Sequence, residues 1–371
     1  MQARVKDIIA ILEQHFPPEL AESWDNVGLQ IGSREQKVKR LMTALDIDNE
    51  VLHHAQAEKI DLIVTHHPLF FKPFKKIDLD TPSGRIIGEL IRNKISVYSA
   101  HTNLDAAENG LNQILAEKLG LINIEPLFPA VRDELFKIVV FVPVSHAEMV
   151  REAMSRAGAG YIGNYSDCSF RVRGTGSFRP GADAHAYIGT PGILEEVDEY
   201  RLETIAYRKD INTILKAMFD SHPYEEPAYD LYRLENEGRS YCPGRKGLLP
   251  RACKVSDLAE MIKECLGLDS VRFTGLPEKI VRKIAVVSGA GASFTGECVK
   301  QGCEVLVTGD LKYHEAQDAK AAGLSIIDAG HQGTEQIVVP FLDELLSNAC
   351  KQRGFDINII TARLTNCFYN V

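Results

Sequence analysis

No run in this 371-residue chain reaches the roughly 18 consecutive apolar residues of a membrane-spanning helix, so the sequence holds no candidate span. The first residues, Met1 to Asp7, also lack the charged-then-apolar layout of a secretory signal and lead straight into an amphipathic pattern. The cytoplasm is therefore the expected location. Positive charge is in deficit: 42 Lys and Arg stand against 51 Asp and Glu, a formal net charge of -9, with a pI near 5.7. A surface of that sign is not built to neutralise many phosphates, and nucleic acid is not an expected partner. There is no P-loop and no arginine cluster suited to a triphosphate. Cysteine occurs eight times, but Cys168, Cys242, Cys253, Cys265, Cys298, Cys303, Cys350 and Cys367 show neither zinc-knuckle nor redox-motif spacing. They read as reduced, small core residues. Tryptophan occurs once, as Trp24.

What is present is an ordinary globular composition, 45% hydrophobic and 25% charged, in a chain long enough for two domains or one domain with an insertion. Four apolar runs end alike. Leu62, Ile63 and Val64 lead through Thr65 into His66, His67 and Pro68. Ile95 to Ala100 leads into His101 and then Asp105. Glu304 to Thr308 empties into Gly309 and Asp310, with His314 beyond. Leu324 to Asp328 passes through Ala329 and Gly330 into His331, with Glu335 four residues on. A parallel sheet gathers the carboxyl ends of its strands along one edge, so these side chains are expected to converge.

Val5, Ile8, Ile9, Leu12 and Phe16 recur at helical spacing, and Pro17-Pro18 stops the helix. Trp24-Asp25-Asn26-Val27-Gly28 reads either as a loop reaching toward a pocket or as a turn pinned by a buried tryptophan. His53 and His54 fall on a helix, Asn49 to Glu58, where solvent-facing or packed roles suit them. In Leu69 to Lys76 aromatics alternate with lysines. Lys72, Lys75 and Lys76 either steer an anionic or flat substrate or only solvate the loop. Helices over Thr81 to Asn93 and Gly110 to Leu119 continue the strand-helix alternation of a doubly wound α/β fold.

From Phe136 the texture changes to β-α-β-β-α-β: a strand at Phe136 to Val142, a helix capped around Ser145 and reaching Ala157, strands at Ser169 to Gly174 and Arg201 to Tyr207, a helix at Ile211 to Phe219, and a strand ending at Leu234. That order is the ferredoxin-like split unit, self-contained enough to be an insertion. A polar, glycine-containing linker from Glu235 to Gly247 follows. The α/β texture then resumes with a helix at Val255 to Leu266, a strand at Lys283 to Val287 and the glycine turn Ser288 to Ser293 before a helix at Phe294 to Gln301. Such a turn can hold a phosphate on backbone N–H groups, although tight turns need glycine for steric reasons alone, and the steric reading is adopted. The expected organisation is an α/β body in two similar halves, 1–130 and 245–371, with an α+β module at 131–240.

His331 and Glu335, four apart, share one face of a helix. Adjacent residues of an extended segment point to opposite sides, so His66 and His67 are expected to serve two ions rather than one. Glu335 is the candidate bridge, since a carboxylate has two oxygens. Three histidines and two carboxylates suit zinc, iron or manganese better than magnesium or calcium. A pair of such ions lowers the pKa of a bridging water, which makes hydrolysis the natural reaction. His101, Asp310 and His314 remain as proton carriers or as groups that orient the ligands.

The segments Trp24 to Leu29, Thr65 to Leu69, Ser99 to Asp105, Thr308 to Asp310 with His314, and Asp328 to His331 with Glu335 resemble the Nif-three-like family, often labelled GTP cyclohydrolase I type 2. The resemblance implies a dinuclear centre at His66, His67, Asp105, His331 and Glu335, zinc being the first expectation. It also implies a PII-like module between the halves, a hexameric toroid, and a small-molecule or nucleotide substrate. A metal carrier or regulator without turnover is the alternative expectation.

Overall fold

The computed structural model describes residues 2–72, 75–128, 131–163, 165–236, 238 and 240–363. Pro73 and Phe74 of the aromatic-lysine loop, and Cys367, lie outside the described residues.

Runs of β-branched and leucine residues become strands covered on both faces. Leu62–Thr65, Ser96–Ser99, Val305–Thr308 and Ser325–Asp328 are buried at every position, as central parallel strands are. The first sheet runs Asn358–Thr361, Arg40–Ala44, Leu62–Thr65, Ser96–Ser99 and Gly28–Ile31; only the last pairing is antiparallel. The second runs Arg272–Phe273, Ser325–Asp328, Val305–Thr308, Ile280–Val286, Arg245–Lys254 and Ile122–Pro126, with a parallel centre of three strands and antiparallel margins. Each sheet borrows an edge from the other half of the sequence. Ile122–Pro126 comes from the first half and Asn358–Thr361 from the second.

The described residues fall into two compact units, one drawn from Met1–Val131 and Tyr241–Val371, the other from Arg132–Ser240. In the first unit a single apolar cluster joins Ile8 and Leu12 of the helix Val5–His15 to Leu62, Val64, Ile284, Val305, Val307 and Leu342. Both sheets thus pack on one core, and separating them would expose it to water.

In the second unit the sheet order is Ser169–Phe178, Glu195–Tyr207, Leu135–Pro143, Tyr229–Arg233, antiparallel throughout. The first strand in the chain lies between the third and the fourth, which is the ferredoxin-like order. Val150 and Met154 of the helix Ala147–Arg156 and Ile214 and Met218 of the helix Ile211–Ser221 share a core with Ile138, Val140, Val142 and Leu202. The expected serine cap is not used. Ser145 Oγ lies 2.9 Å from His146 Nδ1, and the helix starts without a side-chain cap. Cys242, Cys298, Cys303 and Cys350 are buried and free, while Cys168, Cys253 and Cys265 are free and half-buried. Among the described residues no helix is long and apolar enough to cross a membrane.

Candidate metal centre

His66 and His67 leave the strand Leu62–Thr65 still held by backbone, donating from their N–H groups to the carbonyls of Ala44 and Leu45. Extended geometry predicts that their rings diverge, yet the ring centroids are 5.1 Å apart. The reason is that the strand stops at Thr65 and the backbone bends at both histidines. The ligand nitrogens of His66, His67 and His101 lie within 4.8 Å of one another, and so do the ligand atoms of His67, His331 and Glu335.

One hydrogen-bond rule governs all four imidazoles. Nδ1 of His66 sits 3.0 Å from the carbonyl of Ala100, Nδ1 of His67 2.7 Å from Asp46, Nδ1 of His101 2.9 Å from Asp25, and Nδ1 of His331 2.8 Å from Asp310. An oxygen acceptor at Nδ1 fixes the tautomer and leaves Nε2 to bind, the pattern of metal-ligating histidines. His101, expected from the sequence to carry protons or to orient the ligands, is built like the other three and grouped with two of them. Asp310 orients His331 and adopts φ +55°, a left-handed conformation that aspartate tolerates better than most residues.

The carboxylates come from both halves. Glu335, on the short helix His331–Glu335, is buried, with Oε2 2.9 Å from His67 Nε2 and 3.1 Å from His331 Nε2. Its Oε1 is 3.8 Å from His66 Nε2, which also lies 3.6 Å from Asp105 Oδ1. Despite these approaches, His66 Nε2 and Glu335 Oε2 are buried without a hydrogen bond of acceptable geometry. Nitrogen and oxygen lone pairs aimed at a common space, with their rear sides satisfied, fit a cation and fit nothing apolar. Space is reserved as well. A Cβ on Gly289, at φ +60°, would stand 2.3 Å from Glu335 Oε1 and 3.2 Å from His331 Nε2.

Asp105 and Glu335 are driven in opposite directions. Burial raises the Asp105 carboxyl, with Glu335 adding to the rise and His66 opposing it. Burial pushes Glu335 up too, but His331, His66 and His67 outweigh that and hold it well below the usual carboxylate range. Burial disfavours a charged His67, yet Asp46 and Glu335 raise it to about 10. The close approach of the Glu335 carboxylate, against burial and with help from Asp310, raises His331 to about 9. Asp25 is also buried, but bonds from His101 and Thr102 lower it to about 2, which keeps it a charged anchor.

Other predicted participants stand apart. His314 is exposed, with Nδ1 3.3 Å from Gln317, and does not belong to either group of ligand atoms. Lys72, Lys75 and Lys76 are exposed. His53 is exposed and His54 half-buried on the helix Asn49–Ala57. Trp24 is 60% exposed, which removes the reading of its segment as a turn pinned by a buried tryptophan. The glycine turn has a structural role, with three of its N–H groups spent inside the protein. Ser288 donates to Asn112 Oδ1, Gly289 to Thr334 Oγ1 and Gly291 to Thr308 Oγ1. One anchor, Asp46, is not singled out by the sequence, although it follows the strand Arg40–Ala44 on the same sheet edge; Asp25 lies in the Trp24-Asp25-Asn26 loop expected to reach toward a pocket, and what the structure adds is its partner, His101.

The family described as Duf34/NIF3 (NGG1p interacting factor 3) matches residues 3–367. A protein of Halalkalibacterium halodurans named GTP cyclohydrolase 1 type 2 homolog is 40% identical over 360 residues, covering 97% of this chain and 96% of its own. One of Bacillus subtilis with the same name is 40% identical over 364 residues, covering 98% and 97%. The crystal structure of a Bacillus cereus protein related to NIF3 superimposes with a TM-score of 0.92 at 40% identity, covering 100% of this chain and 99% of that one.

Proposed function

The chain belongs to the Duf34/NIF3 family, and from that premise we propose that it is a hydrolase dependent on two divalent metal ions, which His66, His67, Asp105, His331 and Glu335 would hold. The observation that carries this reading is the uniform wiring of the imidazoles, each tied to an oxygen at Nδ1 and open at Nε2 beside buried carboxylates. Imidazoles mixed with carboxylates favour zinc, with iron and manganese next. When bound, such ions supply a water of lowered pKa and an electrophile for a substrate oxygen or nitrogen.

The protein's own residues supply orientation and proton handling. Asp46, Asp25 and Asp310 hold three rings in one tautomer. Ser288 Oγ donates to Asp105 Oδ1 at 3.4 Å, and Asn112 ties the Ser288 N–H to the backbone carbonyls of Asp105 and Pro243. His101, the ring nearest both exposed aromatics Trp24 and Phe71, is the candidate for moving a proton at Nε2. The name carried by the relatives suggests a nucleoside triphosphate, but no lysine or arginine is among the described partners of the clustered ligand atoms. That lack favours the second reading, a metal carrier or regulator. We also carry the hexameric toroid as a proposal, read by light scattering on the purified protein.

A screen of nucleotides and phosphoesters with metal-loaded and chelator-stripped protein tests the assignment. Turnover that disappears on stripping and returns with metal supports the hydrolase. Transfer of metal to an apo acceptor without conversion of any substrate supports the carrier.

A further inference from the structure

Next to the metal centre the fold leaves two large aromatic side chains in the open. Trp24 is 60% exposed and Phe71 53%. Both rings meet the same imidazole, Trp24 at 5.9 Å and 75° from His101, Phe71 at 5.8 Å and 87°. Phe71 also stands 6.5 Å from the ring of His67.

Neither is a loose surface residue. The backbone around Trp24 is pinned on both sides: the Glu22 N–H donates to Thr102 Oγ1 at 3.0 Å, and the Asp25 carboxylate accepts from the Thr102 N–H and from His101. One residue further, Asn26 Nδ2 donates at 2.7 Å to the carbonyl of Phe70, the neighbour of Phe71, and Gln30 Nε2 donates at 2.7 Å to the Asn26 carbonyl. The two loops are therefore tied to each other and, through His101, to the ligand cluster. Exposed apolar area has a free-energy cost, and here it is held in place beside a cluster of polar ligand atoms, the combination of apolar surface and few convergent polar groups that binds organic molecules. With half or more of each side chain open to solvent, ring faces remain available for stacking.

We propose that Trp24 and Phe71 form a stacking platform for a planar heteroaromatic ring, placed so that the ligand's polar end reaches His66, His67, His101 and Glu335. This deepens the metal-centre reading and rests on it for the position of the polar end. Aromatic stacking accepts any flat ring, and no described cationic side chain among the cluster's partners orients the ligand by charge. The ligand class is accordingly set by planarity, with nucleosides as the simplest representatives.

Trp24 is the sole tryptophan, so emission excited where tyrosine is silent reports this position alone. Full-length, metal-replete protein is titrated with adenosine and guanosine as planar probes and with ribose 5-phosphate as the non-planar control. Saturable quenching by both nucleosides and none by the control is expected. Phe71→Ala weakens nucleoside binding about tenfold at unchanged metal content, and Trp24→Ala, followed by calorimetry, does the same. The platform is overturned if metal-replete protein shows no saturable response to either nucleoside. It is equally overturned if the emission is blue-shifted and shielded from acrylamide before any probe is added, because another copy of the chain then covers the tryptophan. Quenching that persists in protein unable to retain metal keeps the platform and removes the metal reading, so the two failures are separable.

Discussion

The two sheet edges that meet at the candidate metal centre contribute unlike things. The edge built from Arg40–Ala44, Leu62–Thr65 and Ser96–Ser99 delivers His66, His67 and His101, the acid Asp46 that anchors His67, and Asp105, while the acid that anchors His101, Asp25, comes from the loop before the antiparallel strand Gly28–Ile31. The edge built from Ile280–Val286, Val305–Thr308 and Ser325–Asp328 delivers one imidazole, its anchor Asp310, the carboxylate that approaches three of the rings, and a glycine where a side chain would collide. One edge supplies most of the donors. The other supplies the charge that gathers them and the room they need. Because one apolar cluster lies under both sheets, the centre depends on the packing of the whole first unit and not on a local motif.

Removing the gathering charge should have the largest effect. Glu335→Gln keeps the size of the side chain but loses the anion that lies 2.9 Å from His67 and 3.1 Å from His331, and metal affinity is expected to fall more than about a hundredfold, beyond the range for orienting groups. Isothermal titration into chelator-treated protein reads this. Equal affinity in the variant would mean that the charge of Glu335 does not gather the donors.

Loosening a ring on the first edge comes next. Asp46→Asn leaves every ligand in place but weakens the hold on His67 Nδ1, and about a 10- to 100-fold loss of metal affinity is expected. The same measurement on Asp310→Asn shows whether the single ring of the second edge is oriented as tightly.

Acidity should act through the same rings. In the metal-free protein His67 and His331 are raised to about 10 and about 9, so both are protonated at neutral pH and a metal must displace protons. Affinity should therefore rise with pH through about 9 to 10, with proton release on binding measurable in weak buffer. The linkage to stability has the opposite sense. Raised folded-state pKa values stabilise the metal-free fold fully below the unfolded histidine pKa near 6.5, and that contribution is lost as pH rises through 9 to 10. Metal binding near pH 7 without proton release would contradict this assignment of charge.

The smallest effect is expected at His314, which stands exposed against Gln317: His314→Ala should change metal affinity less than about twofold. A larger change would add a participant to the second edge.

The strands that position the site were legible because each is a short apolar run broken by a polar residue at its carboxyl end. His66, His67, His101, His331 and Glu335 were visible for that reason. The exchanged edges were not. Ile122–Pro126 is mostly exposed and Asn358–Thr361 half-exposed, so neither carries the apolar signature of a central strand, and pairing partners far apart in sequence leave no local trace. Ring directions were also hidden. The alternation rule holds for an extended chain, and it lapses at His66 and His67 because the strand has ended. The anchors Asp46 and Asp25 are ordinary loop acids by sequence, and only the fold reveals what they accept.

A crystal of protein purified without chelator, with anomalous maps collected on either side of the absorption edge of the metal it carries, tests the central claim most directly. The two-ion proposal predicts density for two ions, within bonding distance of Nε2 of His66, His67 and His331 and of oxygens of Asp105 and Glu335. Anomalous density located elsewhere on the chain, with these side chains hydrogen-bonded only to each other and to water, would contradict it.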